Sequence, residues 1–417
     1  MFNKPVIYRP ANKSNLKKLF NISNTLITLL IKLCGLISGI SVLLIIIFLF
    51  SEASGLFNKP SIDQETVIAI SKKNTINDPE AIQIKQIFNR EIRNWSALGG
   101  KPDSILLFRL DDLILYYPAD AVTEVPDTMR ARINRLFAQH DNLIGYFPAS
   151  LMPHEFSGRV LRIPSLNVMD FIRGREWIPD ARPVNIYGAL PLIIGTLWVS
   201  LLAILIALPL GLAVAIYMVE IAGRNINLIL RPAITLLSGI PSIVYGFFGL
   251  VVIVPFIQDQ FGLPAGESVL AGAILLAIMA LPTIISISEQ AIRNTPQSMK
   301  EASYALGASK WQTIHKVMIP FASRGIIASA LLGLARAIGE TMAVLMVTGN
   351  AAVMPSGFLE PVRTIPAAIA AEMGESTQDG LHVKALFALG CILFVITLLI
   401  NLSVEYMQPR TKKRMML

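Results

Sequence analysis

Six long apolar runs, near residues 31–51, 190–218, 232–257, 268–288, 325–348 and 385–407, constrain this chain more than any other feature. Each is close to the roughly 20 residues that a helix rising ~1.5 Å per residue needs to cross hydrocarbon. Hydrophobic residues make up 53% of the chain and charged ones 15%, more apolar content than a soluble core buries, so the excess is expected to face lipid. The fold class this implies is an all-α polytopic membrane protein with six transmembrane helices.

The basic residues then set an orientation. Lys4, Arg9, Lys13, Lys17, Lys18 and Lys32 gather at the first run with no acidic residue among them, which predicts a cytoplasmic N-terminus. Counting spans from there puts the loop with Arg293, Lys300, Lys310, Lys316 and Arg324, and the tail with Arg410, Lys412, Lys413 and Arg414, on the same side. Orientation alone accounts for the net charge of +8, so no nucleic-acid partner is implied. The first run is too long, and starts too far in, for a cleaved signal peptide, and is expected to remain as an anchor. Both cysteines, Cys34 and Cys391, fall inside spans and read as packing residues, with no disulfide framework.

This gives a basic tail at 1–30, a first transmembrane helix at 31–51 and an extracytoplasmic insert at 52–188. A transmembrane domain at 189–408 and a second basic tail at 409–417 follow. The insert mixes charges of both signs with aromatics such as Trp95 and Trp177 and reads as α/β. Strands are expected near 67–71, 104–110 and 142–147. One helix is expected to open on Asp78 as N-cap with Pro79 in its first turn, another to cover 127–138.

Enzyme motifs fail on inspection. GGK at Gly99–Lys101 lacks the upstream glycine of a phosphate loop, and Pro102 stands where a Ser or Thr would hold magnesium. His154 and Glu155 start a zinc-protease-like string, but Gly158 occupies the place of the second ligand. The four histidines, His140, His154, His315 and His382, are scattered. No metal, cofactor or catalytic site is expected, and energy for any transport must come from a partner.

The loop at 294–320, NTPQSMKEASYALGASKWQTIHKVMIP, carries the most specific local signal. Thr295 can cap a helix with Pro296 at its first position, and Gly307 can supply a left-handed exit. Ser309 and Gln312 form a capping box for a second short helix, which Pro320 is expected to end. The loop resembles the EAA loop of ABC-importer permeases, with Glu301, Ala302 and Gly307 at matching positions and Ser303 where a second Ala is commoner. That resemblance implies that Lys300, Glu301, Ala302, Ser303 and Gly307 couple the chain to an ATPase.

From about residue 186 onward the resemblance widens. GTLWVSLLAILIALPLGLAVAIYMVEIA at Gly195, GIPSIVYGFFGLVVIVP at Gly239, ALPTII at Ala280, ARAIGETMAVLMVTGN at Ala335 and PVRTIPAAIAAEMGE at Pro361 look like the PstC-type permeases of phosphate importers. The resemblance implies a MetI-like transmembrane fold in a bacterial inner membrane, inorganic phosphate as substrate and no enzymatic activity in this chain. It also implies three partners: a second permease (PstA-like), a cytoplasmic ATPase (PstB-like) and an extracytoplasmic phosphate-binding protein (PstS-like). Val67–Arg109 and Asn142–Ser150 resemble part of a lobe of such binding proteins. Where that family has a phosphate-holding Ser-Gly-Thr turn, this chain has Asp111 and Asp112, so the fold carries over and the binding residues do not.

Arg336 and Glu340, expected near the middle of span five, are costly at that depth, ~2.5 kcal/mol or more each, and should be paired. A spacing of four puts them one turn apart. They admit two readings, a pair lining the substrate path or an ion pair holding helices together. Arg is also the side chain whose planar fork best fits phosphate. Pro241, Gly239, Gly246 and Pro282 interrupt spans three and four, where Ser242, Tyr245 and Thr283, with Thr341 after Glu340, could present hydroxyls to an anion. Close helix packing explains the same Gly and Pro residues equally well. Two alternatives remain open at this level: a permease for molybdate or sulfate, and a membrane sensor of phosphate.

Overall fold

The computed structural model describes residues 13–58, 66–110, 126–376 and 380–407. The chain divides into two units, Met1–Glu52 and Ala53–Leu417. Helix α1, Lys13–Phe57, carries the first unit, and its side chains from Asn24 to Ser51 are almost all exposed, Cys34 included. A helix stretch apolar on every side is suited to lipid. Cys34 is therefore not the interior packing residue expected, whereas Cys391 is buried.

Among the described residues six helices are long and apolar enough to cross a membrane: Asn24–Phe57, Leu190–Ile221, Ser242–Phe261, Val269–Arg293, Lys310–Ile338 and Leu381–Tyr406. The number agrees with the expectation, and two positions do not. Span three begins at Ser242 instead of 232, because the apolar run before it folds separately, as the helix Arg224–Gly239. Span five covers Lys310–Ile338 instead of 325–348, because Gly339 ends it and the chain before Pro320 joins it.

The insert holds β1 (Thr66–Ser71), α2 (Ala81–Phe88), β2 (Leu106–Arg109), α3 (Pro126–Gln139), β3 (Leu143–Pro148), β4 (Gly158–Val160) and α4 (Val168–Arg173). Four strands make one sheet in the order β2-β3-β1-β4, with β2 and β3 parallel and the other pairs antiparallel. Parallel neighbours need a crossover, which α3 lies within. Alternation along β1 sends Ile68 and Ile70 into one core with Ile84, Ile87 and Trp95, and Ala69 into another with Phe108, Phe137 and Phe147. Helix α2 starts after Glu80, not Asp78: the Glu80 N–H donates to Gln83 Oε1 at 3.0 Å, and Asp78 pairs with Arg159 at 3.2 Å. Asp111 and Asp112 lie outside the described residues. A two-stranded sheet, β5 (Trp177–Ile178) and β6 (Ile186–Tyr187), leads into the membrane helices.

Those helices are α5 (Leu190–Ile216), α6 (Arg224–Gly239), α7 (Ser242–Phe248), α8 (Val254–Phe261), α9 (Val269–Arg293) and α10 (Gln297–Ala305). They continue with α11 (Lys310–Thr313), α12 (Ile319–Ile338), α13 (Met342–Val347), α14 (Ile365–Glu372) and α15 (Leu381–Met407). Wide π turns at Tyr217–Ile221, Gly249–Ile253 and Ile314–Met318 extend three of these elements. Helix α9 forms the centre: 61% of its apolar window is buried, against 33% or less for the other spans. Small residues Ala203 and Ala207 on α5 share a core with Ala273, Ala277 and Ala280 on α9, which lets the backbones approach without a solvent-driven hydrophobic term.

Candidate functional site

Pro282 removes an N–H donor inside α9, and the next residue, Thr283, faces the last turn of α12, where Arg336 Nη1 donates to Thr283 Oγ1 at 3.3 Å. Arg336 is exposed and lies within electrostatic reach of Tyr245 on α7. Tyr245 is buried and its hydroxyl donates to Leu237 O at 2.8 Å. That bond closes over the Ile240–Pro241 break between α6 and α7, on a carbonyl that otherwise accepts only the Ile240 N–H at 3.4 Å, Pro241 having no N–H to give. Ser242 opens α7 and is half-buried. Gly246 lets α7 lie directly on α13, since a Cβ there would meet Ala343 Cα at 3.0 Å.

The expected pair of Arg336 and Glu340 is not formed. Helix α12 stops at Ile338, so the four-residue spacing no longer places the two side chains on one helical face, and neither lies in mid-span. Glu340 instead accepts the Ala343 N–H at 3.3 Å and caps α13, and Thr341 Oγ1 donates to Gly339 O at 3.4 Å. The structure thus brings Arg336, Thr283 and Tyr245 together and assigns Glu340 and Thr341 to the break beside them. Such a group offers an exposed guanidinium and a hydroxyl at a break in the membrane helices, which suits transient contact with an oxyanion.

The second candidate region is the 294–320 loop. Its first helix, α10, begins after Pro296 and not after Thr295, whose hydroxyl is buried with no hydrogen-bond partner among the described residues. Gly307 has φ of 79°, the left-handed exit expected of it. The capping box is present, with Ser309 N–H donating to Gln312 Oε1 at 2.8 Å and Gln312 N–H to Ser309 Oγ at 3.3 Å. Pro320 does not end the second helix. The π turn at Ile314–Met318 shifts the hydrogen-bond register, and Pro320 then sits in the first turn of α12, where an N–H is dispensable. One short helix therefore projects, and the other runs into the membrane.

Glu301 and Ala302 are exposed on α10, and Ser303 Oγ lies 2.9 Å from Thr313 Oγ1. Lys300 turns inward to Glu220, at the end of span two, at 2.6 Å. Beside them Leu306 is 88% and Trp311 66% exposed, large apolar groups on a polar loop that call for a partner surface.

A third cluster was not singled out from the sequence. Glu372, at the end of α14 and 7% exposed, accepts from Trp177 Nε1 of the insert at 3.0 Å and lies 2.8 Å from His382 Nε2 of α15. Arg363 completes it, donating also to Asn350 O at 3.0 Å. Tyr187 packs against Trp177 with ring centroids 5.6 Å apart, and burial pushes its hydroxyl up to about 12. An acid within the apolar stretch IPAAIAAE was the available signal.

Residues 207–413 match the family described as binding-protein-dependent transport system inner membrane component. A probable ABC transporter permease protein of Bacillus subtilis, YqgH, is 43% identical over 60% of this chain and 81% of its own. A phosphate transport system permease protein, PstC, of Mesorhizobium japonicum is 39% identical over 58% of this chain and 79% of its own. A chain of the MetNI methionine ABC transporter in an inward-facing conformation is 21% identical, with a TM-score of 0.40, covering 52% of this chain and 94% of that one. With six membrane-crossing helices and relatives matched over four-fifths of their length, this chain belongs to the family of binding-protein-dependent transport system inner membrane components, the multi-pass permeases of ABC transporters.

Proposed function

We propose that this chain is a permease subunit of an ATP-driven phosphate importer, forming half of the transmembrane path and coupling to a cytoplasmic ATPase through the 294–320 loop. The chain performs no hydrolysis itself; a partner ATPase does, and an extracytoplasmic binding protein hands over the solute. The observation that carries the reading is Arg336, an exposed guanidinium at the end of a membrane helix whose described hydrogen bond is the single 3.3 Å contact with Thr283, leaving other donors for an anion. The PstC relative, named for phosphate transport, supports phosphate over another oxyanion. Both termini and the 294–320 loop are cytoplasmic in this reading, and the insert is extracytoplasmic, as the basic flanks suggest.

The partners are a second permease, an ATPase that seats on Glu301, Ala302, Leu306 and Trp311, and a phosphate-binding protein. Co-reconstitution of all four components in vesicles tests this. ATP-dependent uptake of labelled phosphate that molybdate and sulfate fail to compete is the expected result. Uptake of molybdate or sulfate in preference to phosphate would overturn the assignment.

A further inference from the structure

We infer that Glu220 is the positioning residue through which the ATPase-facing loop drives the second membrane span, an inference that rests on the importer reading above. Glu220 lies in the π turn Tyr217–Ile221 that closes span two, a wide i→i+5 turn that displaces its residues from the helical face. Its carboxylate meets Lys300 Nζ of α10 at 2.6 Å, with side chains only 11% and 13% exposed. Lys310 Nζ, at the start of α11, donates to the Glu220 backbone carbonyl. On the other side of the turn Asn227 Nδ2 donates to Met218 O at 3.0 Å and Ala222 O at 3.3 Å. Both helices of the loop are therefore tied by charge to one turn of a span that is not their neighbour in sequence.

The geometry makes α5 a rod with two grips. At its far end Thr196 Oγ1 accepts the Ile365 N–H at 2.9 Å, beside the Arg363 and Glu372 cluster. At its near end Ala215 packs with Ile314 and Met318 of the π turn that follows α11. Apolar contact alone lets one surface slide on the other. The part-buried ion pair restricts that freedom, because separating Lys300 from Glu220 would leave two uncompensated charges in a site largely shielded from water. Movement of α10 under the ATPase is thereby delivered to α5 as well as to α9 and α11, its covalent neighbours.

The test uses the four-component complex in vesicles, reading phosphate uptake and ATP hydrolysis together. Glu220→Gln and Lys300→Gln are each expected to lower phosphate imported per ATP hydrolysed roughly tenfold. Glu220→Asp should recover part of the loss, and the exchanged pair Glu220→Lys with Lys300→Glu most of it. Assembled complex is quantified by size exclusion, so a variant that merely fails to assemble is not scored as uncoupled. An unchanged ratio in Glu220→Gln, or an exchanged pair no better than either single charge reversal, would overturn the inference. If the wild-type complex hydrolyses ATP and imports no phosphate, the substrate reading fails by itself. Spin labels at the exposed Leu205 on α5 and Leu399 on α15 then decide the linkage. An ATP-dependent change in their separation that Glu220→Gln abolishes supports it, and a change that survives in the variant refutes it.

Discussion

A guanidinium at the end of a membrane helix avoids most of the ~2.5 kcal/mol or more that mid-span placement costs, and Arg336 there faces an exposed site and one hydroxyl. A charge held so lightly is a poor structural tie. Arg336→Gln is therefore expected to leave assembly intact and to lower phosphate uptake by about 10- to 100-fold, the loss of one charge-assisted contact of ~1.5–3 kcal/mol. Because Glu340 caps α13 and does not pair with Arg336, adding Glu340→Gln should deepen the defect by the cost of a weakened cap, ~1 kcal/mol, and should not rescue it. Uptake normalised to assembled complex checks both. Rescue by the neutral double variant would restore the ion-pair reading.

At the scale of elements, the proposed ATPase dock depends on α10 and its exit. Gly307 leaves α10 at φ of 79°, with Ala308 N–H donating to Ser303 O at 3.2 Å and Gly307 N–H to Tyr304 O at 2.9 Å. A β-branched residue cannot adopt that backbone without ~1–3 kcal/mol of strain. Gly307→Val is expected to leave the membrane spans folded and to reduce ATPase co-purification several-fold, while Gly307→Asn stays near wild type. Equal ATPase recovery with valine would show that the exit does not shape the dock. Two of the loop's expected caps were legible because each is a local chemical rule: Ser309 with Gln312 and Gly307 stand where such rules place them, whereas Thr295 does not cap α10. Pro320 was misread because a π turn before it had already moved the register.

For the whole molecule, the question is what the insert does. Its sheet is covered on both faces by its own aromatic and aliphatic cores, while Trp177 ties its last strand pair to Glu372 at the end of α14. That arrangement suits a platform fixed to the permease better than a lobe that closes over a ligand. The segment 56–185 is expected to fold when isolated and to give no saturable heat with phosphate at micromolar concentration, because the chain has no Ser-Gly-Thr turn and places Asp111 and Asp112 in that stretch. Calorimetry decides it, and micromolar binding would revive a sensing role.

What the sequence determined by itself were properties that short stretches express alone. The number of spans follows from apolar length, and the strands expected near 67–71 and 142–147, found at Thr66–Ser71 and Leu143–Pro148, from short apolar runs set among polar ones. The capping box of Ser309 and Gln312 follows from side chains that satisfy nearby N–H groups, and the exit at Gly307 from its freedom to take a positive φ. The start of span three was misplaced, because hydropathy registers the run from 232 onward, although Gly239 and Pro241 mark the break that divides it. Tertiary structure alone decided the contacts that give the chain its candidate chemistry: Arg336 with Thr283 is 53 residues apart, Lys300 with Glu220 80, and Trp177 with Glu372 195. A buried charge needs a partner, but its identity depends on which helices pack together, and small residues shared between α5 and α9 make that choice without marking the partners in the local sequence.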